Sequence, residues 1–117
     1  MQQERRTNVR VRPMSDYAIT VDFGTGMIKA KLVVLDAAVG GLGLVVEEPL
    51  ADLPAGSEIR LGVTLPGFPR FETVGVIRYT QQRVGGRCGV HFNHLAPDQQ
   101  AALSRTVSEL LERGSSV

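Results

Sequence analysis

The sequence predicts an all-β protein with one helix: a six-stranded antiparallel β-barrel, a flexible N-terminal arm before it, and a C-terminal α-helix packed on the barrel. Three observations predict this. Apolar residues alternate with polar ones in six short stretches, turn signals rich in glycine and proline separate them, and the period becomes helical after Pro97. A chain of 117 residues is one domain, large enough for a core of its own.

Residues 1–12 carry no apolar periodicity and read as an extended or loosely turned arm; residues 13–113 read as the barrel and its helix. Ile19, Val21 and Phe23 alternate with Thr20 and Asp22, and Gly24-Thr25-Gly26 forms a hairpin connection. Ile28, Ala30, Leu32 and Val34 then make a half-buried strand, with Lys29 and Lys31 on its solvated face. Asp36–Gly41 reads as a turn, after which Leu42, Leu44 and Val46 resume the alternation. The turn Leu53–Gly56 precedes Ile59, Leu61, Val63 and Leu65, and Pro66-Gly67-Phe68-Pro69 breaks the chain again. Phe71, Thr73, Gly75, Ile77 and Tyr79 form one face of the fifth strand, and Gln81–Gly86 turns into Cys88, Val90 and Phe92.

The last segment follows helical spacing. Pro97 suits a first helical position and Asp98 the first turn. Leu103, Val107, Leu110 and Leu111 recur at i, i+4, i+7 and i+8, Arg113 falls in the last turn, and Gly114 ends a helix of about 97–113. One amphipathic helix of about four turns is marginal in water, so it packs across the barrel.

Composition narrows the function. At 43% hydrophobic and 21% charged residues the chain is ordinary for a soluble globular protein, and no apolar run is long enough to insert into a membrane. The polar N-terminus shows no signal peptide, and the lone Cys88 excludes an intrachain disulfide; a cytoplasmic location is expected. A net charge of +1 and six aromatic residues argue against a DNA or RNA binder. No nucleophile–base pair, paired carboxylates or P-loop suggests an enzyme, and His91 and His94 alone do not make a metal site. No cofactor is expected.

Two clusters stand out. Arg5-Arg6-Thr7-Asn8-Val9-Arg10 places three guanidiniums on six residues, in a chain where eleven of thirteen basic residues are Arg. Asp36-Ala37-Ala38-Val39-Gly40-Gly41-Leu42-Gly43 places a carboxylate beside a glycine-rich turn. Arginine forks suit phosphate oxygens and the N7/O6 edge of guanine, while a carboxylate suits guanine's N1–H and N2–H₂ donors. Together the clusters describe a site for a small anionic guanine nucleotide.

These residues resemble the PilZ domain family of bacterial cyclic di-GMP receptors. The family pattern is RxxxR on an N-terminal arm followed by D/NxSxxG on a barrel turn. Arg6–Arg10 fits the first motif, and Asp36–Gly41 fits the second at Asp36 and Gly41 but carries Ala38 in place of Ser. The resemblance implies that Arg6 and Arg10 wrap the ligand, Asp36 accepts from a guanine edge, and Gly40 and Gly41 shape the turn against it. Arg5 would stack on a second guanine, which favours an intercalated cyclic di-GMP dimer. The implied function is a bacterial second-messenger receptor that changes conformation and signals to a downstream protein. The alternative is a ligand-independent adaptor with the same barrel, in which Ala38 marks a disused site.

Overall fold

The computed structural model describes residues 9–25 and 28–117. Its elements are β1 (Thr20–Thr25), β2 (Ile28–Leu32), β3 (Val34–Ala38), β4 (Gly41–Val45), a 3-10 turn (Glu48–Leu50), β5 (Glu58–Thr64), β6 (Phe71–Thr80), β7 (Arg87–Phe92) and the helix α1 (Pro97–Glu112). The strands form one antiparallel sheet in the order β2-β1-β5-β6-β7-β4-β3. Its two edge strands, β2 and β3, are consecutive in the chain and separated by Val33 alone. The sheet therefore curls into a nearly closed barrel.

Seven strands stand where six were expected, because the run from Ile28 to Val34 is divided. Val33 leaves the ladder with its side chain 56% exposed, and its carbonyl accepts from the Val45 N–H at 3.0 Å. A second difference follows from the first. Asp36–Gly41 is not a turn throughout: Asp36, Ala37 and Ala38 belong to β3, and the reversal is confined to Val39 and Gly40. Period-two alternation does not reveal a break at a single apolar residue, so both features were hidden in the sequence.

Inside the barrel, Val21, Leu42, Leu44, Leu61, Val63, Ile77, Cys88 and Val90 form the core with Ile19, Ile59 and Phe92. The fifth predicted strand departs from simple alternation. Thr73, Gly75 and Ile77 point inward, but a register shift between Ile77 and Tyr79 turns Tyr79 outward, where it is 44% exposed. A bulge inserts one residue and so inverts the face of everything after it. Its consequence is a phenol delivered to the outside of the barrel.

The helix buries Ala102, Leu103, Thr106, Val107 and Leu110 against the barrel; Leu111, expected in the stripe, is 44% exposed. The Thr106 hydroxyl donates to the Ala102 carbonyl at 2.8 Å, which lets a polar residue sit in the buried stripe. The Ala96 N–H is satisfied by Gln99 Oε1 at 2.9 Å, and Gly114 takes the left-handed φ of +81° that ends the helix. One side chain ties the helix to the turn after β3: Gln100 Nε2 donates to the Val39 carbonyl at 2.8 Å.

The described part of the arm is built into the fold. Val11 is fully buried and forms antiparallel bridges with Ala37 on one side and Ser116 on the other. Its N–H donates to Ala37 O at 2.9 Å, and the Ala37 N–H donates back at 2.8 Å. Burying this valine contributes up to about 1.5–3 kcal/mol, which fixes the root of the arm beside β3.

Candidate functional site

Residues paired across antiparallel strands share a face of the sheet. On the outer face, Asp36, Gly43, Gly89 and Tyr79 form one transverse row across β3, β4, β7 and β6. Ala38, Gly41, His91 and Val76 form the next. The middle of both rows is largely glycine, so the barrel wall is sunken there. A Cβ at Gly41 would run into the Val90 carbonyl oxygen, and one at Gly89 into the Tyr79 ring. The resulting cleft, of about 450 Å³, is lined by Arg10, Ala38, Gly40, Gly41, Arg78 and His91 among others.

Asp36 lies under this cleft with only 2% of its surface exposed. Arg10 donates to its Oδ1 through Nε at 3.0 Å and Nη2 at 2.5 Å. Arg87 donates to Oδ2 through Nη2, and its Nε donates to the Tyr79 hydroxyl at 2.7 Å. Burial alone would push the Asp36 carboxyl up; the hydrogen bonds and charges of Arg10 and Arg87 outweigh it and hold the group below its usual value. Asp36 in turn raises the Arg87 guanidinium further, with Tyr79 adding to the effect. A buried carboxylate is thus kept ionised by two arginines that are each 38% exposed.

The cleft is cationic. Arg10 and Arg78 line it with no carboxylate among its described lining residues, Arg10 reaches from it to Asp36, and the side chains of Arg78 and His91 have no hydrogen-bond partner among the described residues. Positive charge over a glycine floor is suited to a flat, anionic ligand that needs close approach to backbone. Among the described residues no three His, Cys, Asp or Glu side chains converge for a metal ion, and no helix is long and apolar enough to cross a membrane. Cys88 faces the core, and burial pushes its thiol up, with Arg87 opposing.

Of the site residues expected from the sequence, Arg10, Asp36, Ala38, Gly40 and Gly41 come together here. Arg5 and Arg6 lie outside the described residues. The sequence reading missed Arg78, Tyr79, Arg87 and His91. Arg78 and Tyr79 reach the site through the β6 bulge, which leaves no sequence signal, whereas the alternation of Cys88, Val90 and Phe92 leaves Arg87 and His91 at outward positions, a signal that could have found them.

The molecule is a small β-barrel with a cationic cleft where an N-terminal arginine meets a strand carboxylate. The chain belongs to the PilZ domain family, whose model matches residues 4–109. Its fold is similar to that of the PilZ domain of YcgR from Escherichia coli with c-di-GMP (TM-score 0.66, 16% identity, 93% of this chain and 94% of that one). It is also similar to the MrkH–c-di-GMP complex of K. pneumonia (TM-score 0.71, 14% identity, 93% and 54%) and to the Bacillus subtilis inhibitor of motility MotI/DgrA (TM-score 0.65, 20% identity, 90% and 51%). The chain thus spans nearly the whole YcgR domain but about half of MrkH and of MotI. No curated protein sequence matches it.

Proposed function

We propose that this chain is a cyclic di-GMP receptor that binds the dinucleotide in the cleft between the arginine arm and the outer face of β3, β4 and β7. The observation that carries the reading is the pairing of Arg10 with buried Asp36 at the edge of a glycine-floored cationic cleft. Two solved PilZ relatives of the same fold hold c-di-GMP, which supports the choice of ligand. Arg6 and Arg10 of the RxxxR motif grip the phosphodiesters and the N7/O6 edges of guanine. Asp36 accepts from the guanine N1–H and N2–H₂ donors, and the turn at Gly40 and Gly41 lets the ligand lie against the backbone.

Binding then exchanges partners on one carboxylate. Arg10 leaves Asp36 for the ligand, while Arg87 stays and keeps Asp36 ionised and able to accept. The arm closes over the ligand, and its new position is what a downstream protein reads, because only the ligand-bound form favours it. Arg5, immediately before the motif, stacks on a guanine of a second, intercalated cyclic di-GMP. No cofactor takes part. The adaptor alternative rests on Ala38, whose methyl replaces a hydroxyl. The loss of one hydrogen bond costs about 0.5–1.5 kcal/mol, which weakens binding by about two- to tenfold without abolishing it.

Isothermal titration of cyclic di-GMP into the protein, beside Arg6→Ala, Arg10→Ala and Asp36→Asn, tests the receptor. Micromolar or tighter binding that each substitution weakens by at least about tenfold is expected. A well-folded protein that gives no binding would leave the adaptor as the better account. A saturating ratio of one ligand per chain would exclude the intercalated dimer.

A further inference from the structure

His91 is half-buried on β7, in register with Gly41, which is itself in register with Ala38. The three residues form a straight row across β7, β4 and β3. Two of them, a methyl and a hydrogen, bring no polar atom to the cleft. His91 is the first side chain in the row able to donate or accept a hydrogen bond. Its ring leans over the turn after β3: Cε1 lies 3.2 Å and Nδ1 3.4 Å from the point a Cβ on Gly40 would occupy. It shares the cleft wall with Arg10 and Arg78, and none of the described residues hydrogen-bonds the imidazole.

We propose that His91 is a ligand-contacting residue that supplies, from β7, the polar contact that Ala38 cannot make, to an anionic phosphodiester oxygen of the bound cyclic dinucleotide. The proposal rests on the receptor reading above and assigns the site a residue outside both motifs. An imidazole reaching over a turn can replace a hydroxyl two strands away because only Gly41, with no side chain, lies between them. An anion beside an imidazole favours the imidazolium form, so the contact strengthens as the solution becomes more acidic.

The surroundings make that dependence readable. The arm contributes Arg10 to the described cleft wall, β6 contributes Arg78 and Tyr79, and β3, β4 and their turn contribute only Ala38, Val39, Gly40, Gly41 and Leu42. Guanidinium and phenol side chains ordinarily keep one protonation state between about pH 6 and pH 8, the range in which an imidazole changes its own. The loss of any pH dependence in both His91 variants is what assigns it to this residue.

The test is isothermal titration of cyclic di-GMP into the full chain and into His91→Ala, His91→Gln, Ala38→Ser and the Ala38→Ser/His91→Ala pair, at about pH 8 and about pH 6. His91→Ala is expected to weaken binding about tenfold, and His91→Gln, which keeps an amide donor, by less. Wild-type affinity is expected to rise several-fold on acidification, and both His91 variants to lose that rise. Ala38→Ser is expected to restore most of what His91→Ala loses, which a purely structural role for the ring would not allow. If both His91 variants bind like wild type with an unaltered pH profile while Arg10→Ala fails to bind, the inference is wrong and the receptor reading stands. If the wild type binds at neither pH, both fall together.

Discussion

Arg87 and Asp36 are ion-paired across an intervening strand, directly over Gly43. Asp36 is on β3 and Arg87 on β7, with β4 between them, and Gly43 is the β4 residue in register with Asp36. A side chain on β4 would ordinarily keep these two apart. Here a Cβ on Gly43 would meet the Asp36 carboxylate and lie 3.0 Å from Arg87 Nη2. The glycine opens the path for the pair, and the pair is what lets a carboxylate stay charged while only 2% exposed.

Gly43→Ala should therefore destabilise the fold by about 1–3 kcal/mol, through displacement of a buried charge from its partner and not through backbone strain. Chemical unfolding measures it directly. If the unfolding midpoint does not move, the ion pair does not depend on this clearance.

The same carboxylate sets an acid limit on stability. Asp36 is held below the usual carboxylate value, because Arg10 and Arg87 more than reverse the effect of burial. A depressed folded value means that the unfolded chain takes up its proton first as the pH falls. The stabilisation is thus complete above the unfolded value of about 3.9 and drains away as the pH drops through the lower folded one. Asp36→Asn removes this dependence and costs about 1–3 kcal/mol near neutrality, since both guanidiniums are exposed enough to find water. Urea unfolding of both proteins between about pH 2 and pH 6 should show the gap narrowing towards acid. A constant gap would contradict the assignment.

The barrel was legible in the sequence because inward residues such as Leu42, Leu44, Leu61 and Val63 alternate with outward ones and turn signals bound each stretch. The helix was legible from Pro97, the Leu103-Val107-Leu110 spacing and Gly114. Part of the candidate site was legible as well, since Arg10, Asp36 and Gly41 lie in short local patterns. The remainder depends on register, which local patterns do not encode. Tyr79 was placed on the same face as Ile77 because their parity matches, and a one-residue bulge turned it to the other. Arg87 and His91 were visible as outward residues of β7, but nothing in the sequence says that β7 pairs with β4 and so brings them to Asp36 and Gly40.

Two glycines of the cleft floor should respond differently to alanine. At Gly41 the new Cβ would press on the Val90 carbonyl oxygen, a backbone atom held in the β4–β7 ladder. That substitution should cost about 1–3 kcal/mol, because strands and not side chains must move. At Gly89 the obstacle is the ring of Tyr79, which is 44% exposed and free to swing outward. Gly89→Ala should cost under about 1 kcal/mol while breaking the hydrogen bond from Arg87 Nε to the Tyr79 hydroxyl. Thermal unfolding ranks the two; equal losses would mean that the Tyr79 ring is as fixed as the backbone.

The C-terminal residues should control how firmly the arm is rooted. Arg12 N–H donates to Ser115 O at 2.8 Å, Ser115 Oγ donates to Arg12 O at 2.6 Å, and the Val117 N–H donates to Arg10 O at 3.1 Å. On its other side Val11 keeps both hydrogen bonds to Ala37. Removing residues 115–117 therefore strips one edge of the arm root and leaves the other intact. The expected cost is about 1–3 kcal/mol, from a few partly exposed hydrogen bonds at about 0.5–1.5 kcal/mol each and some uncovering of Val11. Hydrogen exchange locates the effect. The Arg12 amide should exchange markedly faster in the shortened chain, while the Val11 and Ala37 amides, paired with each other, should change little. Arg10 lies two residues from Arg12 on this same root, so a looser root also lets its guanidinium leave Asp36 more readily. Should the Arg12 amide keep its full protection after truncation, β3 alone holds the arm and the tail has no part in positioning Arg10.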